Sequence, residues 1–262
     1  KEGCIFNSQS DKKIYIIGDS HAASLAYDLK KRFIDSDYQF ITFMLGDCGF
    51  FPGFNLTELK SNKIDRNCNS DYFKKLKNEL LANKESIIIF TSRLPLYLEN
   101  KEFDSKNVQN GKKWKKIYVS NNKSETLKES FNKTINKLSK NNKILLVYPI
   151  PEFDINIPKK LFNRYLRGEL DFKNVKKDNF ISISYNIYKS RTKSSFELLD
   201  SYKHKNILRV YPHKLFCNKN LKDRCISHDA NNIYYYDNNH LSIKGAEMVN
   251  NLIINELNKI NF

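Results

Sequence analysis

Gly18-Asp19-Ser20-His21 closes the apolar run Ile14-Tyr15-Ile16-Ile17 and opens an amphipathic stretch, which sets a serine where a strand hands over to a helix. Gly18 permits a sharp turn and a close approach to a ligand. The helix that follows aims unpaired N–H groups and the positive end of its dipole at any oxyanion formed there. Near the other end of the chain, Asp237-Asn238-Asn239-His240-Leu241-Ser242 holds an acid and an imidazole three residues apart. An alcohol is a poor nucleophile at neutral pH, so a serine needs a base to take its proton and a third group to hold that base in the right tautomer. Ser20, His240 and Asp237 fill these three roles. A tetrahedral oxyanion also needs prepositioned donors, each typically worth about 3 kcal/mol, and the amides of Ser20 and Gly49 are the candidates. Taken singly, each motif has an ordinary reading: a serine after a strand caps a helix, and Asp-x-x-His is local polarity. Their combination, in fitting contexts, argues for chemistry. His21 reads as a loop-orienting or substrate-facing residue, and His204, His213 and His228 carry no usable pattern.

Residues 13–17 read as a buried strand, and Ala22, Leu25, Ala26, Leu29 and Phe33 give the next segment an apolar helical face. Further strands are expected at 39–44, 86–90, 144–148 and 207–210. Between them, Asp71 is a candidate cap for a helix carrying Tyr72, Phe73, Leu76 and Leu80. Asn122 with Glu125 reads as a capping box ahead of Leu127, Phe131, Ile135 and Leu138. Residues 94–120, which hold Trp114, are polar and poorly periodic and read as an insertion or lid. Pro149, Pro151 and Pro158 imply a loop, residues 180–200 are ambiguously helical, and a last helix turns Ala246, Val249, Ile253 and Leu257 inward. Strands alternating with helices imply a mostly parallel sheet covered on both faces. Such sheets carry their sites beyond the carboxyl ends of the strands, where Ser20, the loops after Met44 and Phe90, and Asp237 to His240 would meet.

With 262 residues the chain suits one large domain. No apolar run approaches the roughly 18 residues that span a bilayer, and the first residues lack the basic start and apolar core of a signal peptide. The numbering reads as a mature chain or as an excised soluble domain of something longer. Formal charge is +16, from 45 Lys and Arg against 29 Asp and Glu, spread along the chain rather than blocked. That spread fits a solvated surface, and the functional alternative is attraction to an anionic glycan, headgroup or nucleic acid. No zinc-finger spacing or nucleic-acid module supports the last, so no nucleic-acid partner is expected.

Of five cysteines, Cys48 and Cys68 bracket a Gly/Pro/Asn-rich stretch, and Cys217 and Cys225 bracket a short polar one. Disulfides closing these loops would indicate an oxidising compartment. Free thiols are the alternative, since connectivity is not deducible from sequence. Cys4 is left over. No Cys-x-x-Cys or His-x-x-x-His pairing suggests a metal, and no cofactor is implied.

Gly-Asp-Ser near the first strand and Asp-x-x-His near the C-terminus resemble the SGNH (GDSL-like) esterase and acyltransferase superfamily. More narrowly, five stretches are similar to the SGNH domain that follows a membrane acyltransferase domain in bacterial carbohydrate O-acetyltransferases. They are Gly18-Asp19-Ser20-His21-Ala22, the Cys48 to Cys68 pair, Tyr148-Pro149-Ile150-Pro151-Glu152, Cys217 to Cys225, and Tyr236-Asp237-Asn238-Asn239-His240-Leu241-Ser242 with Gly245-Ala246. The resemblance implies a flavodoxin-like α/β/α sandwich with a central parallel sheet of about five strands, spanning residues 1–262 as one catalytic domain. It also implies a periplasmic or otherwise extracytoplasmic location as part of a longer membrane acyltransferase. The superfamily's usual side-chain oxyanion donor, an Asn in the third motif, has no counterpart after Phe90. Thr91-Ser92-Arg93 stands there instead, and the subgroup's arginine implies that Arg93 orients the loop or the donor.

Three functions follow as expectations. The first is an O-acetyltransferase in which a membrane domain relays an acetyl group and Ser20 passes it to a sugar hydroxyl of a cell-surface glycan such as lipopolysaccharide O-antigen. The second is an esterase that uses the same residues on an acylated glycan or lipid. The third is a basic glycan-binding module without catalysis.

Overall fold

Apolar runs without polar alternation can be buried on both faces, and three such runs, at 14–17, 87–90 and 144–147, build the centre of this fold. The computed structural model describes residues 3–7, 9–107 and 111–260, so the chain ends and residues 108–110 of the 94–120 segment lie outside the described residues. The strands β1 (Cys4–Phe6), β2 (Lys12–Gly18), β3 (Tyr38–Met44), β5 (Ile87–Thr91), β7 (Lys143–Val147) and β9 (Ile207–Val210) form one six-stranded sheet in the order β1-β3-β2-β5-β7-β9. Five strands are parallel, and β1 is an antiparallel edge. The expected strand count of about five omitted β1, whose three residues are too short to show a period.

Alternate side chains go to opposite faces of the sheet. Ile14, Ile16, Phe40, Ile87, Leu145 and Val147 pack under α1 (Ser20–Phe33) and α8 (Ile243–Asn258). Tyr15, Ile17, Ile88, Phe90 and Leu146 pack under α2 (Ser70–Ala82) and α4 (Leu127–Leu138). The apolar faces expected from periodicity are the buried ones: Ala22, Leu25, Ala26, Leu29 and Phe33 on α1, and Ala246, Val249, Ile253 and Leu257 on α8.

Several local expectations are corrected. The cap of α2 is Asn69, whose side chain accepts from Tyr72 N at 3.0 Å, so Asp71 falls inside the first turn. The capping box lies four residues later than expected, between Thr126 and Glu129. Asn122 instead accepts from the Ser124 hydroxyl at 2.9 Å in the preceding turn. Pro158 does not prolong a loop: it sits in the first turn of α5 (Ile157–Leu166), where a missing N–H costs nothing. Residues 180–200 divide into β8 (Ser182–Ser184), paired with β10 (Arg224–Ile226), and α6 (Tyr185–Asp200). The segment 94–120 holds α3 (Leu94–Glu99) and β6 (Lys116–Ser120), and β6 pairs antiparallel with β4 (Phe54–Glu58). Trp114 and Tyr118 are buried with Tyr97, so these parts of the segment are built into the core rather than laid over it. Disulfides join Cys48 to Cys68 and Cys217 to Cys225, while Cys4 is free and exposed.

Candidate active site

The turn after β2 is shaped by Gly18, where an added Cβ would lie 1.7 Å from the Thr91 carbonyl oxygen of the neighbouring strand. Only glycine lets the two strand ends run this close. Asp19 then caps α1, its carboxylate accepting from the amide of His21 at 2.8 Å. The same buried carboxylate accepts from the Arg93 amide at 2.8 Å and the Tyr97 hydroxyl at 2.6 Å. Asp19 therefore ties the start of α1 to the loop between β5 and α3. Ser20 is the first residue of α1, so its amide belongs to the unpaired donors of a helix N-terminus.

The segment before α8 folds back on this turn. Gly245 permits it, because a Cβ there would lie 2.2 Å from the Tyr234 carbonyl oxygen. Asp237 Oδ1 accepts from the amides of Asn239 and His240, both at 2.8 Å, and Oδ2 accepts from His240 Nδ1 at 2.7 Å. His240 Nε2 stands 2.7 Å from Ser20 Oγ. Burial by itself would raise the Asp237 pKa, but the two amides and the imidazole outweigh it and hold the carboxyl below its ordinary value. The group is thus an acceptor at neutral pH, which selects the His240 tautomer protonated at Nδ1 and turns the Nε2 lone pair to Ser20.

A parallel bridge runs beside this one. His21 Nε2 donates to Asn239 Oδ1 at 3.0 Å, and the His21 ring meets the His240 ring edge-on at 5.4 Å between centroids. Burial lowers the His21 pKa, with Arg93 and His240 adding to it against Asp19, so a neutral imidazole stands next to His240.

Arg93 donates through Nε to Glu152, and the other Glu152 oxygen accepts from Arg191 Nε at 2.8 Å. Burial opposes ionisation of Glu152, but the Arg191 and Arg93 guanidiniums overcome it and bring its pKa to about 2. Gly49 is not available as an oxyanion donor. Its amide donates to the Tyr118 hydroxyl at 2.7 Å, and its place in the expected donor set is withdrawn for that reason. The structure brings together Ser20, His240 and Asp237, with Arg93 close enough to His21 for its charge to be felt. Asn239, Tyr97, Glu152 and Arg191 were not assigned roles from sequence. Glu152 and Asn239 lie inside the quoted stretches, but nothing in their spacing marks them as buried partners. Among the described residues, no cluster of three or more His, Cys, Asp or Glu could hold a metal ion.

A family model described as the SGNH domain fused to AT3 domains matches residues 1–255. The chain belongs to this SGNH family. Membership places the SGNH domain in the serine hydrolase and acyltransferase class. No curated protein matches its sequence. Among solved structures, the periplasmic domain of a lipopolysaccharide acetyltransferase from Salmonella ser. Paratyphi A is similar at a TM-score of 0.57 and 20% identity, over 94% of this chain and 83% of that one. A possible lipase from Chitinophaga pinensis aligns at a TM-score of 0.39 and 12% identity, over 95% of this SGNH domain and 98% of the lipase. The first similarity shows the shared fold, an SGNH hydrolase-like α/β sheet flanked by helices.

Proposed function

We propose that the chain is the catalytic, extracytoplasmic unit of a longer membrane acyltransferase and transfers an acetyl group to a sugar hydroxyl of a cell-surface glycan, such as lipopolysaccharide O-antigen. The observation that carries this reading is the unbroken line from Asp237 through His240 to Ser20 Oγ, with both contacts at 2.7 Å. The two disulfides fit an oxidising compartment, and the family's fusion to AT3 domains supplies a source for the acetyl group. No helix of the described residues is long and apolar enough to cross a membrane, so on this reading the donor is relayed by the fused domain.

In the first step Ser20 Oγ attacks the acetyl carbonyl while its proton passes to His240 Nε2, and Asp237 stabilises the imidazolium. The oxyanion is received by the Ser20 amide at the head of α1, with the Arg93 guanidinium as the charged neighbour. Collapse expels the donor's leaving group, which takes the proton from His240. In the second step His240 removes the proton of a sugar hydroxyl, the alkoxide attacks the acetyl-serine, and Ser20 leaves and is reprotonated. Water in place of the sugar would give the esterase reading, which uses the same residues.

Incubation with p-nitrophenyl acetate, followed by intact-mass spectrometry, tests the reading. An acetyl adduct that is present on the native chain and absent from Ser20→Ala supports it. Acetyl appearing on an added glycan distinguishes transfer from hydrolysis. Equal nitrophenol release by Ser20→Ala and the native chain would remove the catalytic assignment in favour of a binding module.

A further inference from the structure

A helix on a protein surface ordinarily buries one stripe and shows polar residues to water. The helix α5 departs from this. Its core face buries Ile157 and Leu161, yet its outer face carries Phe162, Tyr165 and Leu166, exposed by 55%, 50% and 64%. Spacings of three and four residues put these side chains on one side of the helix. Phe172, also exposed, extends the patch, its ring 5.2 Å from that of Tyr165. Clustered exposed apolar side chains mark an interaction surface.

The surrounding charge indicates the partner. From 159 to 178 the chain carries seven Lys and Arg against three Asp and Glu. Arg167 is paired with Glu169 at 2.6 Å and Arg164 is spent on the Asn179 carbonyl at 2.7 Å. Lys159, Lys160, Lys173, Lys176 and Lys177 stand exposed around the aromatic patch. A second copy of the same face would bring these cations against each other. An apolar strip rimmed by lysines is instead suited to a surface that is oily inside and negatively charged outside.

We propose that the outer face of α5, with Phe172, docks on an anionic phospholipid bilayer. The ring and leucine side chains enter the boundary between headgroups and acyl chains, and the lysines engage the phosphates. The first residue of α5 donates its amide to the Asp237 carbonyl at 3.1 Å, and Phe153 donates to the Asn238 carbonyl at 2.8 Å. The docking helix is thereby fixed to the loop that carries His240, and docking sets the height of the Ser20 centre above the membrane. This surface is independent of whether Ser20 transfers or hydrolyses.

The test is co-sedimentation of the chain with vesicles of phosphatidylcholine alone and of phosphatidylcholine mixed with phosphatidylglycerol, over a range of salt. Three pairs of exposed substitutions are compared, with circular dichroism and melting curves as controls for folding: Phe162→Ser with Leu166→Ser, Lys159→Gln with Lys160→Gln, and Lys74→Gln with Lys75→Gln on α2. The native chain is expected to bind the anionic vesicles. The apolar pair should reduce partitioning by about tenfold or more without changing charge. The Lys159 and Lys160 pair should weaken binding and flatten its salt dependence, and the α2 pair should do neither. Absence of binding overturns the proposal, as does equal binding by all three variants, which would reflect only the overall positive charge. A dimer found by sedimentation velocity and abolished by the apolar pair would assign the face to a second copy and also overturn it.

Discussion

His21 and Asn239 are hydrogen-bonded at 3.0 Å, each one residue along the chain from Ser20 and His240, which stand 2.7 Å apart. The β2–α1 turn and the loop before α8 are therefore joined by two adjacent rungs, of which only one carries a proton in the proposed reaction. The second rung is expected to hold the distance across the first. Asn239→Ala is expected to lower kcat for p-nitrophenyl acetate by about 10–100-fold with KM little changed, since a small misplacement of a base is enough to lose this much. Steady-state kinetics on a variant with an unchanged melting curve provides the check.

Arg93 is held through Nε by Glu152 and through its amide by Asp19. In the proposed mechanism Arg93 is the charged neighbour of the oxyanion, and removing one such donor typically costs about 100-fold or more. Arg93→Ala should slow the nitrophenol burst by that order, and Arg93→Lys should recover little of it, because an ammonium cannot reproduce the guanidinium fork. A burst rate that is unchanged in Arg93→Ala would leave the oxyanion to backbone donors alone.

Glu152 is expected to govern stability in acid. Its pKa falls from the ordinary 4.5 to about 2 on folding. A carboxylate with a depressed folded pKa contributes stability that is complete above its unfolded value and fades as pH falls toward the folded one. Melting temperatures of the native chain and Glu152→Gln should therefore differ most near neutrality and converge between about pH 4.5 and pH 2. At neutral pH, Glu152→Ala leaves Arg93 and Arg191 facing each other and should cost about 3–5 kcal/mol.

The two disulfides close loops of unequal length, with sequence separations of 20 and 8. Chain entropy ranks the longer loop as the more stabilising, by about 3.3 kcal/mol against about 2.5 kcal/mol. Cys48→Ser with Cys68→Ser should lower the melting temperature more than Cys217→Ser with Cys225→Ser. The opposite order in calorimetry would mean that the short loop near β8 and β10 is held chiefly by its bridge.

Much of this architecture is written in local patterns. The parallel strands β2, β5 and β7 announce themselves by unbroken apolar runs, and the faces of α1, α4 and α8 by regular periods. Elements that depend on distant partners left no such trace. β1 is recognisable only by its pairing with β3, and β6 by its pairing with β4, in a segment whose residues look irregular in isolation. The helix caps slipped by two to four residues because Asn, Asp and Thr are interchangeable as local acceptors, and only the final packing chooses among them. Ser20, Asp237 and His240 stood out because their spacing is tied to one chemistry. Glu152 did not, since a buried carboxylate has meaning only through the two arginines that approach it from the loop after β5 and from α6. Gly49 shows the reverse error, a suitable amide already claimed by the Tyr118 hydroxyl, which sits 69 residues away.

The buried Asp19, Glu152 and Arg191 and the partly buried Arg93 balance one another in formal charge. The surplus of +16 therefore lies outside that enclosure. Mobile counterions reach the outer charges readily and the inner ones scarcely. Salt is thus expected to screen the exposed lysines while leaving the pairs of Glu152 with Arg93 and Arg191 little changed. Substitutions among the outer lysines can therefore change the overall charge of the protein without altering the field inside the Glu152 pairs.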